Sequence, residues 1–314
     1  MDAVDFVIPH MGRPEMLVAT LDSIFAQNCP ERIATITVVT KNESRLPVSR
    51  HEKLTIIQVP GAATISEQRN IGVAAGRAPL IAFLDADIRL AGDWLETCTA
   101  LLAEKSGRVL VSAMQKSSDN AGRVERLRTA LSNVSLDKPV QFLPGRNLLV
   151  TRSAHDKVGG FPEHLQTCED YVYTEKLSRL GELYYTSQTY YVHLGEDRTL
   201  RQTFTKEIWR SESNLSSISG RTLPLREWPS ILLPVWMLLG LVVTVLGFYS
   251  QTAFLIGLIM LLLPILLYGG RLYVQQSNHE PLHFLVLFYS VYFVARAAGT
   301  VKGARLLLRR NLTE

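Results

Sequence analysis

Apolar and polar positions divide the chain into two unlike parts. Up to about residue 228, short apolar runs alternate with amphipathic stretches; from 229 to about 300 the chain is apolar and nearly free of charge. In the first part, Val4-Asp5-Phe6-Val7-Ile8 reads as a strand. Met11-Gly12-Arg13 turns the chain, and Pro14 suits a first helical position, where its missing N–H costs nothing. Leu17, Leu21, Ile24 and Phe25 then recur at helical spacing. Residues 33–40 and 54–59 are β-rich, the second run closed by Pro60-Gly61. Ser66 is placed to cap a helix running through Ala75, residues 80–84 form a fourth strand, and 184–192 are again β-rich. Strands alternating with helices in this order predict an α/β fold with a mostly parallel sheet and ligands at the strand C-termini.

The second part predicts membrane helices. Residues 230–248 run for about 19 positions without a charge, long enough to cross a hydrocarbon core. A polar turn, Tyr249-Ser250-Gln251-Thr252, leads into a second apolar run of about 16 residues, 253–268, and the two read as a helical hairpin. A third segment, 282–298, contains Arg296. Arg221 and Arg226 precede the first span, Arg271 follows the second, and Lys302, Arg305, Arg309 and Arg310 follow the third segment. Basic loops stay cytoplasmic, so the charges predict a two-span hairpin, an interfacial or re-entrant third segment, and both termini on the cytoplasmic side of the plasma (inner) membrane. The domains expected are 1–228, soluble and catalytic, and 229–314, membrane anchor and basic tail.

Composition adds little beyond this. The net charge of +4 is small, and the basic residues cluster at the C-terminus, which gives no reason to expect nucleic acid as a partner. Cys29, Cys98 and Cys168 lie far apart with no CxxC pair, which argues against a zinc site or disulfide framework and fits a reducing compartment. The chain opens directly into its first strand, with no basic segment followed by an apolar one, so no signal peptide is expected.

The chemistry concentrates at Asp85-Ala86-Asp87, at the tip of the apolar run Pro79-Leu80-Ile81-Ala82-Phe83-Leu84. A buried strand delivering two carboxylates needs a counter-charge, and a divalent metal holding a diphosphate is one; a solvated turn is the plainer alternative for the triplet alone. Glu169-Asp170, taken alone, reads first as a helix N-terminus favoured by the macrodipole, with a general base as the alternative. His193, after a strand, fits a structural role or a metal ligand.

The stretch from Arg69-Asn70-Ile71-Gly72 through Phe83-Leu84-Asp85-Ala86-Asp87 resembles the "ARNxGxxxAxGxxIxFLDAD" signature of the family 2 inverting glycosyltransferases, which have a GT-A fold. Ile8-Pro9-His10-Met11-Gly12-Arg13-Pro14 is similar to the family's "IPxxNRPxxL" start. The block Gly145-Arg146-Asn147, Val158-Gly159-Gly160-Phe161 and Cys168-Glu169-Asp170-Tyr171 resembles its "GxNxxxRR…VGGFdE…EDxxL". The resemblance covers roughly residues 3–200 in the correct order. It implies that Asp87 ligates Mn²⁺ or Mg²⁺, with Asp85 at the ribose or metal and His193 completing the site. Asp170 would be the base, with Glu169 beside it. A nucleotide-diphosphate sugar donor would be held by Pro9, Arg69, Asp85 and Arg210. The family's base-reading Asp is missing after the second strand; Thr40-Lys41-Asn42-Glu43-Ser44 stands there, leaving Asn42 or Glu43 as substitutes.

Several assignments stay open from sequence. Asn70 fits a bridge between strand ends or a helix cap, Arg146 an acceptor-side contact, and Tyr171 and Tyr173 either sugar stacking or core. Trp209 fits membrane-interface anchoring. The reading is a membrane-anchored inverting glycosyltransferase acting on a lipid-linked or glycan acceptor in envelope polysaccharide or glycolipid synthesis, with homo-oligomers admitted. Its alternatives are a polyprenyl-phosphate sugar synthase, a processive polysaccharide synthase, a sugar-phosphate nucleotidyltransferase and a non-catalytic membrane scaffold. The chain has no Gln-x-x-Arg-Trp of processive synthases and no Gly-rich, basic N-terminal loop of nucleotidyltransferases.

Overall fold

A computed structural model describes residues 2–61, 63–212, 228–275 and 280–311. The elements run β1 (Val4–His10), α1 (Pro14–Phe25), β2 (Ile33–Thr40), β3 (Leu54–Gln58), α2 (Ile65–Ala74), β4 (Leu80–Leu84), β5 (Ile88–Leu90), α3 (Trp94–Glu104), β6 (Arg108–Lys116) and α4 (Arg123–Ser132). Next come β7 (Lys138–Val140), β8 (Asn147–Thr151), α5 (Arg152–Val158), α6 (Glu169–Ser178), β9 (Glu182–His193), α7 (Leu200–Ser211), α8 (Trp228–Leu246), α9 (Gln251–Gln275) and α10 (Leu282–Asn311). Two compact units result: Met1–Ala121 with Arg128–Glu196, and Gly122–Leu127 with Asp197–Glu314.

The first unit is built on one sheet of order β3-β2-β1-β4-β8-β6-β9-β5, with β7 also paired to β9. The strands predicted from the apolar runs, β1 to β4, pair in parallel, as the alternation with helices requires. β8 enters antiparallel between β4 and β6, and β5 lies antiparallel on the end of β9, so the sheet is mixed beyond β4. Consecutive side chains point to opposite faces. Phe6, Ile8 and Val38 therefore join one core with Leu17, Ile24, Trp94 and Leu95, while Val7, Ile81 and Phe83 join another with Leu148, Phe161 and Tyr173.

One helix start differs from expectation. Thr64, not Ser66, caps α2: its side chain accepts from the Glu67 N–H, and the Glu67 carboxylate accepts in return from the Thr64 N–H. Ser66 lies buried within the first turn, where its hydroxyl cannot serve as the cap.

Among the described residues, three long apolar helices are found, and all lie in the second unit. α8 and α9 form the expected hairpin, with Gly257 against Thr244 and the Trp236 indole N–H donating to the Met260 carbonyl at 2.8 Å. α9 runs well past the expected end at 268. α10 runs past 298 and packs on the polar helix α7. A Cβ at Gly299 would lie 2.3 Å from the Ile208 carbonyl oxygen, and one at Gly303 would lie 2.1 Å from that of Glu212. Only glycine lets the two backbones approach this closely. Arg296, a costly residue in an apolar helix, has a carboxylate beside it: Glu207 of α7 lies 3.3 Å away and also pairs with Arg210 at 2.6 Å.

Asp5 shows how polar contacts brace the first unit. Its carboxylate, 1% exposed, accepts from the Thr35 hydroxyl at 2.7 Å, the Ala78 N–H at 2.7 Å and Arg152 Nη2 at 2.8 Å. Breaking such a buried pair from one side costs about 3 kcal/mol or more. Asp5→Ala is therefore expected to lower the thermal midpoint by several degrees with native helix content retained below it. Circular dichroism melting checks this, and an unchanged midpoint would contradict it.

Candidate active site

The site lies at the C-terminal ends of β1 and β4 in the first unit. It is organised around Arg69, which projects from α2 and is 1% exposed. Its guanidinium donates to Asp85 Oδ1 at 3.0 Å, Glu169 Oε1 at 2.8 Å and the Gly145 carbonyl at 3.2 Å, and it lies 4.8 Å from the Phe161 ring. One cation thus ties the β4 tip, the loop before β8 and the start of α6 together. Asn70, next along α2, accepts from the Phe161 N–H at 2.9 Å and donates to the Phe161 carbonyl and to Glu163. It holds the Gly159-Gly160 turn, both glycines at φ +76°, against the helix.

Asp170 sits in the first turn of α6. It accepts from the Gly145 N–H at 3.2 Å and from its own helix at Tyr171 N–H, 2.9 Å. Burial and the adjacent Glu169 charge push its carboxyl up to about 7, against the pull of these N–H donors and Arg69. Gly145 therefore serves both sides of the site: its N–H holds Asp170 while its carbonyl receives Arg69. Tyr171 stacks on Phe142 with centroids 3.9 Å apart, forming a partly exposed aromatic pair beside Asp170. Tyr173 is fully buried, stacked on Phe161 and bonded to His155, and so belongs to the core.

The other carboxylate of the strand tip faces a different set. Asp87 Oδ2 lies 3.1 Å from Arg13 Nη2, and Oδ1 lies 3.4 Å from His193 Nε2. β5 pairs with β9 so that Ile88 faces His193, which brings the imidazole to Asp87. The far ring nitrogen, Nδ1, donates to Glu196 at 3.1 Å. Burial lowers the His193 pKa, but its hydrogen bonds to Asp87 and Glu196 outweigh that and raise it overall. Burial pushes Glu196 up, but the His193 hydrogen bond and the charges of Arg146, His193 and Arg128 hold it well below the ordinary carboxylate range. A Cβ at position 195 would fall 2.1 Å from Asp87 Oδ2, so a larger residue there would displace the Asp87 carboxylate.

Each sequence candidate can now be placed. Asp85, Asp87, Glu169, Asp170, His193 and Arg69 converge in one region of the first unit. Arg146 joins through Gln115, Tyr191 and Glu196. Pro9 is buried in β1 in register with Val39. The Asn42 side chain accepts from the Gly12 N–H at 2.7 Å, bracing the loop after β1, and Glu43 is exposed beside it. Arg210 belongs to the second unit, where it pairs with Glu207 and Asp197. Among the described residues, no three His, Cys, Asp or Glu side chains already converge as a metal set. Asp85 turns to Arg69, and a cationic side chain, Arg13, stands against the Asp87 carboxylate. That carboxylate thus carries a positive charge beside it, and one imidazole adjoins it. The carboxylate is a hard donor that suits Mn²⁺ or Mg²⁺, and the imidazole is a borderline donor that Mn²⁺ accepts more readily than Mg²⁺. Sequence reasoning missed Arg13 and Glu196 as site residues; the spacing of three between His193 and Glu196, with a glycine between, was the available signal.

Residues 5–160 match the family described as Glycosyl transferase family 2. The chain carries a family 2 glycosyltransferase domain. It is 26% identical over 134 residues to the pre-mycofactocin glycosyltransferase of Mycobacterium tuberculosis, covering 39% of this chain and 28% of that protein. It is 21% identical over 188 residues to glycosyltransferase AglE of Haloferax volcanii, covering 57% and 62%. The chain thus spans less than two thirds of either curated relative. In fold it resembles the mannosyltransferase PcManGT of Pyrobaculum calidifontis, solved with GDP-Man and Mn²⁺, at a TM-score of 0.62 and 14% identity over 96% of this chain and 87% of that one. The sheet with its flanking helices is the GT-A architecture of these glycosyltransferases, and three apolar helices follow it.

Replacing Arg69 tests the keystone. Lysine offers a point charge and cannot reproduce the fork that spans Asp85, Glu169 and Gly145. Arg69→Met removes the charge altogether and should cost about 3–5 kcal/mol. Thermal denaturation should order the proteins wild type, Arg69→Lys, Arg69→Met in falling midpoint. Equal midpoints for wild type and Arg69→Met would show that the bridge is not structural.

Proposed function

We propose that this glycosyltransferase is membrane-anchored and inverting, and that it moves a sugar from a nucleotide-diphosphate donor to a hydroxyl of a lipid-linked acceptor in envelope polysaccharide or glycolipid synthesis. The observation that carries the reading is the Gly145–Arg69 bridge. It holds a carboxyl with a pKa near neutrality, Asp170, and a strand-tip carboxylate, Asp85, on the same two residues. Such a carboxyl can accept a proton near pH 7, as deprotonation of an acceptor hydroxyl needs. An acceptor already ionised, such as a lipid phosphate, would have less use for it.

Asp87 and His193 are the residues that would hold the divalent metal, with Asp85 nearby. When bound, it supplies counter-charge for the departing nucleoside diphosphate. The GDP-Man and Mn²⁺ of the fold relative support the donor class. Glu196, fixing the far nitrogen of His193, orients the imidazole as outer-shell partners of ligating histidines do. Pro9, Asn42 and Glu43 line the nucleotide side, Asn42 by holding the loop after β1. Asp170 takes the proton of the acceptor hydroxyl, whose oxygen attacks the anomeric carbon opposite the diphosphate, giving inversion. Glu169, engaged by Arg69, is the positioning residue beside it. The Phe142–Tyr171 pair offers an apolar face to the acceptor. The α8–α9 hairpin anchors the enzyme in the plasma membrane with its catalytic unit cytoplasmic, where a lipid-linked acceptor is presented.

Two experiments test this. Mn²⁺ with GDP or UDP should raise the melting temperature of the wild type, since a ligand at 100 times its dissociation constant stabilises the folded state by about 2.7 kcal/mol. Asp87→Asn should melt like wild type without ligand and lose that Mn²⁺-dependent shift; an undiminished shift would remove Asp87 from the site.

Asp170→Asn should keep the shift and lose about 10²-fold or more in transfer. Because the base acts ionised, wild-type kcat/KM should rise with pH through about 7 and level off above it. That limb should be absent in Asp170→Asn. Wild-type transfer rates in this variant would place the base elsewhere.

A further inference from the structure

We propose that α10 is not a third membrane span but an in-plane helix that rests an apolar stripe on the lipid surface and is tied at both ends to segments on the catalytic side. The proposal rests on the reading of α8 and α9 as the membrane hairpin. By length and hydropathy all three helices could cross a bilayer. Burial separates them: half of the apolar window of α10 (50%) is buried within the protein, against 17% for α8 and 22% for α9. A helix surrounded by lipid should look like the latter two.

The ends of α10 decide the orientation. At its start, Glu280 lies 3.0 Å from Arg126 and 3.6 Å from Arg123, and the Arg123 guanidinium lies 5.9 Å from the Phe284 ring. Both arginines belong to the first turn of α4, the segment Gly122–Leu127 of the second unit. Towards the other end, Arg296 pairs with Glu207, Lys302 pairs with Glu212, and Gly299 and Gly303 touch the backbone of α7. From residue 282 to 303 a helix advances about 32 Å at 1.5 Å per residue, the thickness of a hydrocarbon core. Upright, α10 would put its two ends on opposite sides of the membrane. Yet in the sequence α4 follows β6 and α7 follows β9, and among the described residues no candidate span precedes either. Both partners of α10 are therefore on the side of the catalytic strands, and α10 lies between them.

Its outer surface fits that position. Leu287, Val294 and Ala298 are exposed at spacings of seven and four, Arg305 falls on the same face at its C-terminal end, and exposed Leu308 and Lys302 lie to either side of it. An apolar face with one basic side chain at its end and another at its edge suits a helix seated at the boundary between headgroups and acyl chains. α10 meets α9 at Gly269 and Tyr268, near the end of the hairpin that leads back towards it. This is where a helix lying across the base of the hairpin would touch it.

Single-cysteine labelling of the full chain in sealed vesicles tests the arrangement, with signal from the unaltered protein subtracted. Arg77→Cys, exposed in the first unit, marks the catalytic side, and Tyr249→Cys marks the tip of the hairpin. A membrane-impermeant maleimide applied to that side should label Arg77→Cys, His283→Cys and Arg305→Cys and leave Tyr249→Cys unlabelled. Labelling of His283→Cys and Arg305→Cys from opposite sides would make α10 a span and overturn the proposal. Protection of Arg305→Cys from both sides would also overturn it, since the helix end would then be within the acyl chains. Labelling of Tyr249→Cys from the catalytic side would overturn the membrane hairpin instead, and the in-plane placement with it.

Discussion

A guanidinium buried without carboxylates would be among the least favourable groups in a protein core, and the catalytic unit is arranged so that Arg69 is not in that state. Its fork reaches a strand tip, a loop carbonyl and the first residue of a helix at once. Those three segments are far apart in sequence and carry much of the candidate chemistry. Removing water from the arginine forces them together, and the geometry of the fork sets their spacing. Glu169 is thereby committed to neutralising Arg69. Asp170, one residue on, is buried and sits beside that negative charge, which together outweigh the pull of the Gly145 and Tyr171 N–H groups and Arg69, and its carboxyl rises towards neutrality. Two neighbouring carboxylates thus come to lie in different surroundings, one against a cation and the other against backbone N–H groups.

The opposite side of the site is organised by a second chain of contacts. Glu196 fixes His193, His193 adjoins Asp87, and Arg13 closes the row from the loop after β1. That loop has Gly12 at φ +65° and Arg13 at φ +40°, and Asn42 from the next strand-to-loop turn steadies it. The segment where the family's base-reading carboxylate is replaced by Thr40-Lys41-Asn42-Glu43 thus has a structural task as well, since Asn42 spends its acceptor on a backbone N–H.

Much of this was legible in the sequence, for identifiable reasons. Strands β1 to β4 are short apolar runs with turn residues at their ends, and their period and boundaries show directly. Asp85, Asp87, Asp170 and His193 stand next to such landmarks. What the sequence could not show are partnerships between remote positions. Nothing near Arg69 names Glu169, a hundred residues on, and nothing near Arg296 names Glu207. The cap of α2 was misplaced by two residues because Ser66 and Thr64 are both good caps locally. Only the reciprocal bond to Glu67 selects Thr64. Strands β5 and β7 were hidden because they are three residues each, too short to carry a period.

The glycine crossing between α7 and α10 has a consequence for rotation about the helix axis. Gly299 and Gly303 are four residues apart, so they lie one above the other on a single face. With backbone touching backbone there, α10 cannot turn about its own axis without driving a Cβ into α7. Each residue of an α-helix advances the azimuth by about 100°. The two glycines therefore act as a key that fixes which azimuth every side chain of α10 presents over its whole length. The outward direction of Leu287 and Val294, some turns away, is thus set by the absence of two methyl groups rather than by anything those side chains do themselves.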